Sequence, residues 1–426
     1  MKKNKSGFTL IELLAVIVIL AVILVIAIPR ILNVIETSKK DSIKSSARMI
    51  INSAEKKNMI DKVNGSTEEV TCDNSVKLSK EDYESCKITI DEEGKATINL
   101  VGKGKFDGYK CIGTNDNLAC GQVESITLPL NGKEYIEKLY NNELSRIENG
   151  LKKDNTEDQN IRYYGSNPNN YVRFNNELWR IIGIFGNNVK LIRSEKIGNL
   201  SWDSSESSIN SGWGVNEWST SALKNYLNTM YYDGTSVTCY NAKNKQTTTC
   251  PTNKLDNTAK ALIDNHTWKT GAIDWGKRTN TLAFYKDERG NVTGKICNGG
   301  ATCNDTVERT AEWPGYIGLP YATDYAYASG ESICETNMVK QDSNNVYICK
   351  NDNWMFKPNT WYWTMSPGAN TSFAYYVWVV DSVGNVHNYV AAVGGAVFPA
   401  IYLKSNILIE SGNGTSSDPY ILKAGS

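Results

Sequence analysis

Three kinds of residue in this chain could do chemistry: one acid in an apolar run, ten cysteines and two histidines. Glu12 lies within residues 8–28, where Thr9 is the only other polar side chain. A carboxylate in such a run costs about 2.5–3.5 kcal/mol on insertion scales, which marks it as functional and in need of a partner. A buried amine suits it, because paired charges offset each other's desolvation and removing one strands the other. The cysteines fall as near neighbours: Cys72 and Cys86, Cys111 and Cys120, Cys239 and Cys250, Cys297 and Cys303, Cys334 and Cys349. An even number in an exported chain reads as a disulfide framework; five local loops are the simplest arrangement, and the connectivity stays open. None of these pairs has C-x-x-C spacing, so no metal is assigned. His266 and His387 are far apart in sequence, which weighs against histidine catalysis or a His-rich zinc site. No nucleophile–base constellation stands out, so neither a catalytic residue nor a cofactor is assigned.

The element that carries Glu12 is long: residues 8–28 as a helix span about 30 Å, the thickness of a bilayer core. Lys2, Lys3 and Lys5 precede the run. Positive flanks stay cytoplasmic, which exports the chain beyond the run. The run exceeds the apolar core of about 7–15 residues in a secretory signal, and no small-residue cleavage site comes after it, so the helix is retained. Pro29 should end or bend it. Helical spacing then resumes at Leu32, Ile35, Ile43, Ala47, Ile50 and Ala54, an apolar stripe on which a small domain can pack. No strict heptad supports a coiled-coil stalk.

Strand patterns begin near Asp61. Residues 87–90 and 96–100 alternate around Asp91-Glu92-Glu93-Gly94, a hairpin signature. Residues 105–111 read as a further strand. Residues 133–151 have helical spacing, and residues 152–160 lack an apolar face and read as a linker. Beyond Ile161 the composition turns to Trp, Tyr, Asn and Gly. Residues 170–193 read as three short strands, Ser219 as the cap of a helix over residues 221–227, and residues 373–380 and 386–393 as a strand pair. Tyr375, Tyr376, Trp378, Asn385, His387, Asn388 and Tyr389 lie on that pair and its turn. Aromatics mixed with Asn suit adaptable recognition, so these are the expected ligand-binding residues, for an extracellular protein or glycan not identified by the sequence. The formal net charge of zero makes no global case for nucleic acid.

The stretch Ser6-Gly7-Phe8-Thr9-Leu10-Ile11-Glu12, with its basic leader and the apolar helix up to Pro29, resembles the cleavage and assembly signal of type IV prepilins and pseudopilins. The resemblance implies that a prepilin peptidase cuts after Gly7 and methylates Phe8. It also implies that Glu12 meets the amino terminus of a neighbouring subunit, setting the register between other pilin subunits. The protein would sit in the cytoplasmic (inner) membrane before assembly and in a surface filament after it.

Residues 161–422 resemble a family of bacterial exported domains with a C-type-lectin-like fold, related in shape to formylglycine-generating-enzyme domains. The resemblance is carried by Glu177-Leu-Trp-Arg-Ile-Ile-Gly183, Gly214-Val-Asn-Glu-Trp218, Trp363-Thr-Met-Ser-Pro367 and Pro399-Ala-Ile-Tyr-Leu403. Where that family has Gly-Val-Arg-Pro, this chain has Ala396-Val397-Phe398-Pro399. The Glu-Pro-Asn or Gln-Pro-Asp and Trp-Asn-Asp motifs of calcium-dependent sugar sites are missing; Asn351-Asp352-Asn353-Trp354 is a loose echo, read as an exposed turn. A formylglycine-type oxidase needs a reactive cysteine pair, whereas these cysteines lie in polar, loop-like segments.

The expected fold class is α+β: a long pilin helix packed on a small antiparallel sheet, then a disulfide-stapled C-type-lectin-like domain. The expected boundaries are 1–7 leader, 8–60 transmembrane and amphipathic helix, 61–123 β headpiece, 124–160 helix and linker, and 161–426 lectin-like domain. The expected role is a minor or tip pilin or pseudopilin that displays a binding domain, and no enzyme. The alternative is a membrane-anchored exported protein that never polymerises and carries a formylglycine-generating-enzyme-like head.

Overall fold

The structure, a computed structural model, describes residues 10–76, 79, 81–91, 93–274, 280–290, 310–344, 346–369 and 374–425. It divides into two compact units, Met1–Ser125 and Ile126–Ser426.

The first unit is built on helix α1 (Leu10–Asn64), 55 residues and so about 80 Å long. The helix runs on through Pro29 rather than ending there. Its buried stripe is Ile43, Ala47, Ile50, Ile51 and Ala54, at the spacing of one helical face. Leu32 and Ile35, expected in that stripe, are exposed, so the packed face begins at Ile43, about three turns later than the sequence suggests. Four antiparallel strands in sequential order cover it: β1 (Tyr83–Ile90), β2 (Ala96–Gly102), β3 (Tyr109–Gly113) and β4 (Leu118–Gln122). Ala96, Ile98 and Leu100 alternate inward from β2 and meet Ile88, Phe106 and Tyr109 over the helix. Glu55 of α1 accepts the Ala96 backbone N–H at 3.1 Å, and Asn52 bonds Asn115 at 2.7 Å, which fixes the sheet along the helix. Disulfides Cys72–Cys86 and Cys111–Cys120 close the unit, the second joining directly paired residues of β3 and β4.

The second unit begins with β5 (Leu130–Asn131), α2 (Gly132–Asn141), α3 (Glu143–Asn149), β6 (Leu151–Lys153) and β7 (Ile161–Tyr163). Then come β8 (Tyr171–Phe174), β9 (Glu177–Phe185) and β10 (Asn188–Arg193), the three strands expected between residues 170 and 193. Asn175 and Asn176 both take positive φ, which lets a two-residue turn close the first hairpin. The cap expected at Ser219 is instead Ser221, whose hydroxyl accepts the Lys224 N–H. Helices α4 (Thr281–Glu288) and α5 (Ala322–Tyr327) precede β11 (Tyr362–Ala369), β12 (Tyr376–Val380) and β13 (Val386–Val390). The chain then adds β14 (Ala400–Tyr402), β15 (Ile407–Ser411) and β16 (Tyr420–Ala424).

Among the described residues the larger sheet runs, from its Ile317–Gly318 edge, β14-β10-β9-β8-β16-β15-β5, with β7 also on β9 and β6 on β7. A second sheet centres on β11-β12-β13. The core they share holds Trp179, Trp202, Trp218, Trp268, Trp363 and Trp378, all buried. Three of these indoles donate to backbone carbonyls: Trp202 to Thr364 (3.2 Å), Trp268 to Gly315 (3.0 Å) and Trp363 to Leu200 (2.9 Å). Disulfides Cys239–Cys250 and Cys334–Cys349 staple this unit, while Cys297 and Cys303 lie outside the described residues.

Residues 152–160 are no linker, contrary to expectation, because β6 pairs β7 and buried Asp154 organises the turn between them. Its carboxylate accepts the Thr156 hydroxyl (2.6 Å), the Asn160 N–H (3.1 Å) and amide (3.0 Å), and Arg162 Nε (2.6 Å). A polar run without apolar periodicity is anchored here through three buried residues, Asp154, Thr156 and Asn160, because one acid satisfies their donors, while Glu157, Asp158 and Gln159 stay exposed. The second unit accordingly begins at Ile126 rather than after residue 160.

Candidate functional site

Gly7 and Phe8 lie outside the described residues. Glu12 sits in the first turn of α1, among apolar side chains turned outward: Leu10, Ile11, Leu13 and Leu14 are all more than half exposed. The outward run continues to Ile35, and no part of its most apolar window is buried in the chain. So long an apolar surface requires lipid or other protein around it. Pro29 is compatible with an unbroken helix in that setting, because neighbouring groups re-satisfy the backbone it frees.

The expected binding strands do pair, but their register splits the seven residues. Val377 opposes Tyr389, Trp378 opposes Asn388 and Val379 opposes His387, so successive residues point to opposite faces. Trp378 is a core residue, 2 % exposed, set edge-on to Phe284 with ring centres 4.6 Å apart. Tyr376 and Asn388 share its side by register, both half-buried. His387 and Tyr389 take the other side, where Tyr389 is 43 % exposed and lies 5.4 Å from the ring of Trp361. His387 Nε2 stands 3.6 Å from the Asp381 carboxylate. Asn385 is in the turn, its N–H held by Asp381 at 2.8 Å, and Tyr375 packs on Tyr376. Of these residues Tyr389 is exposed, with Trp361 and His387 half-buried beside it. Trp361 precedes the pair in sequence, and only the fold brings it beside Tyr389. In the Asn351–Trp354 stretch, Asn351 and Asp352 are exposed as expected, while Asn353 and Trp354 are tied inward: Asn353 donates to the Tyr325 carbonyl at 2.9 Å and Trp354 to that of Tyr163 at 2.9 Å.

A cluster the sequence did not single out lies deeper in the unit. Arg162 on β7 donates to Asp154 (2.6 Å) and to Asp324 on α5 (2.8 Å), and Lys190 on β10 donates to Asp324 (2.6 Å). All four side chains are buried. The Lys190 ammonium is ringed by Phe185, Trp268, Tyr321 and Tyr402, each centre within 5.5 Å. Burial alone would raise the Asp324 carboxyl; Lys190 and Arg162 outweigh it and hold it at about 2. Burial pushes Lys190 down to about 8 against the pull of Asp324. Nearby Glu288 is raised by burial, against Arg289 and the hydroxyls of Thr323 and Ser366. Two strands and a helix are pinned together by this charge balance, which is a positioning role.

Next to the cluster a cleft of about 400 Å³ opens between the turn at residues 155–158 and the outer face of α4. Tyr285 joins the two: its hydroxyl donates to Asp158 (2.5 Å) and accepts from Asn160 (2.9 Å), while the Asn160 amide also serves Asp154. The only trace of this site in the sequence is the polar run of residues 152–160.

A family model described as the prokaryotic N-terminal methylation motif matches residues 2–28. No curated protein and no solved structure matches the chain. The motif implies, in general, other pilin subunits and a prepilin peptidase as partners, and with the long apolar helix it fits a membrane-anchored pilin later assembled into a surface filament. A prepilin N-methylation motif at the head of a long, outwardly apolar helix supports a type IV pilin or pseudopilin.

Proposed function

We propose that this chain is a minor or tip pilin or pseudopilin that displays its second unit as a C-type-lectin-like binding head, for adhesion or ligand capture. The single observation that carries the reading is the outward apolar half of α1 with Glu12 in its first turn, continuous with a half that packs its own small sheet. The lipid-stored subunit keeps its amino terminus inside, as the lysines before the run favour. On leaving the bilayer it exchanges lipid for sibling helices, and Glu12 pairs with a neighbour's new amino terminus. The lectin-like reading of the head rests on the four quoted segments; Trp179, Trp218 and Trp363 from them are fully buried, as fold-determining residues would be. A head of some 300 residues, Ile126–Ser426, favours a tip or low-abundance position over the shaft. The surface of Trp361, His387 and Tyr389 is the proposed contact area of that head.

Glu12→Ala should leave the protein in the membrane and remove it from sheared filaments. Filaments carrying the variant at the wild-type level would sink the assembly role. Mass spectrometry of the mature protein should begin at a methylated Phe8; an intact Met1 would instead favour a tethered protein that does not polymerise.

A further inference from the structure

We propose that the cleft between residues 155–158 and α4 binds a small zwitterion, a ligand carrying an ammonium and an acid anion. Such binding does not depend on filament assembly. The cleft's volume of about 400 Å³ falls among small-molecule sites. Its two walls have opposite sign: Glu157 and Asp158 on the turn, Lys286 and Arg289 at the end of the helix. A purely anionic or purely cationic ligand meets one like-charged wall, whereas a zwitterion complements both.

The two walls differ in firmness in a way that suits exchange. Lys286 and Glu157 pair across the cleft at 3.3 Å with side chains 66 % and 86 % exposed. A pair so exposed adds little to stability, so a ligand displaces it at small cost. The groups behind it are fixed. The Arg289 guanidinium lies 3.5 Å from the centre of the Tyr285 ring and donates to buried Glu288 at 3.2 Å. Asp158 is held by the Tyr285 hydroxyl. A preorganised arginine gives an acid anion charge-assisted hydrogen bonds, and a preorganised carboxylate receives the ammonium.

Calorimetry on the full chain in detergent tests this with glycylglycine and phosphocholine as zwitterions, and choline, acetate and inorganic phosphate as single-charge controls. At least one zwitterion should bind about tenfold tighter than every control. A preference for phosphocholine assigns the anion as phosphate, and one for glycylglycine as carboxylate. Asp158→Asn and Arg289→Gln should each weaken binding about tenfold or more, while Glu157→Gln, which only opens the exposed latch, should not weaken it. Arg289 is packed, so if Arg289→Gln fails to fold, the surface variant Asp158→Asn decides the matter. Controls that bind as tightly as the zwitterions, no binding of any probe at millimolar concentration, or an unchanged Asp158→Asn would overturn the proposal.

Discussion

Asp324 takes two cations at once, Arg162 at 2.8 Å and Lys190 at 2.6 Å, in a place without water-exposed surface. Breaking a buried pair leaves the partner charged and alone, so Asp324→Asn should cost about 3–5 kcal/mol, read from urea unfolding of the second unit. The pH dependence comes from the same contact. The folded carboxyl sits at about 2 against an ordinary 3.8, so the unfolded chain binds the proton more readily. Its stabilisation is present above the unfolded value and lost as pH falls from about 4 to about 2. Melting curves across that window should show the loss in the wild type and lack this contribution in Asp324→Asn. Glu288 works in the opposite sense, since burial raises it: its stabilisation is complete below the unfolded value and lost as pH rises through the folded one. Glu288→Gln should remove that alkaline-going loss. None of these partners is legible in the sequence, because Arg162 and Asp324 meet across 162 residues of chain. By contrast Glu12 declares itself, because an acid in an apolar run is anomalous without any knowledge of the fold.

At the scale of elements, period decides what can be read. The 3.6-residue stripe of α1 and the alternation of β2 are visible in the sequence, and Ile50 from the one packs in a common core with Ile98 from the other. Ile50→Ala should therefore cost about 2–5 kcal/mol and raise amide exchange in β1–β4. Replacing both Cys111 and Cys120 by Ser should cost about 2–5 kcal/mol in the same unit. What the period does not say is which face is covered. The strands bearing Tyr375 to Tyr389 are recognisable, yet only the register and the neighbouring elements send Trp378 inward and leave Tyr389 outside. Pro29 is a further case: its rule allows either an end or a bend, and the helix expected over residues 8–60 runs on through it.

For the molecule as a whole, two separate cores imply two cooperative unfolding transitions. Differential calorimetry should resolve them, with Ile50→Ala lowering one and Asp324→Asn the other; a single transition moved by both variants would contradict this. The sequence alone determined the membrane-length helix, its acid and the processing motif, because these are local facts of composition, length and order along the chain. It also indicated local disulfide loops, since the cysteines are close neighbours in sequence, and four such pairs are joined among the described residues. Only the tertiary structure decided that residues 152–160 are part of the second unit, that Asp154, Arg162, Lys190 and Asp324 form one charge-balanced cluster, and that a bipolar cleft lies beside it. Those features depend on groups brought together from distant strands and helices, and a polar residue's partner leaves no periodic trace in the chain that carries it.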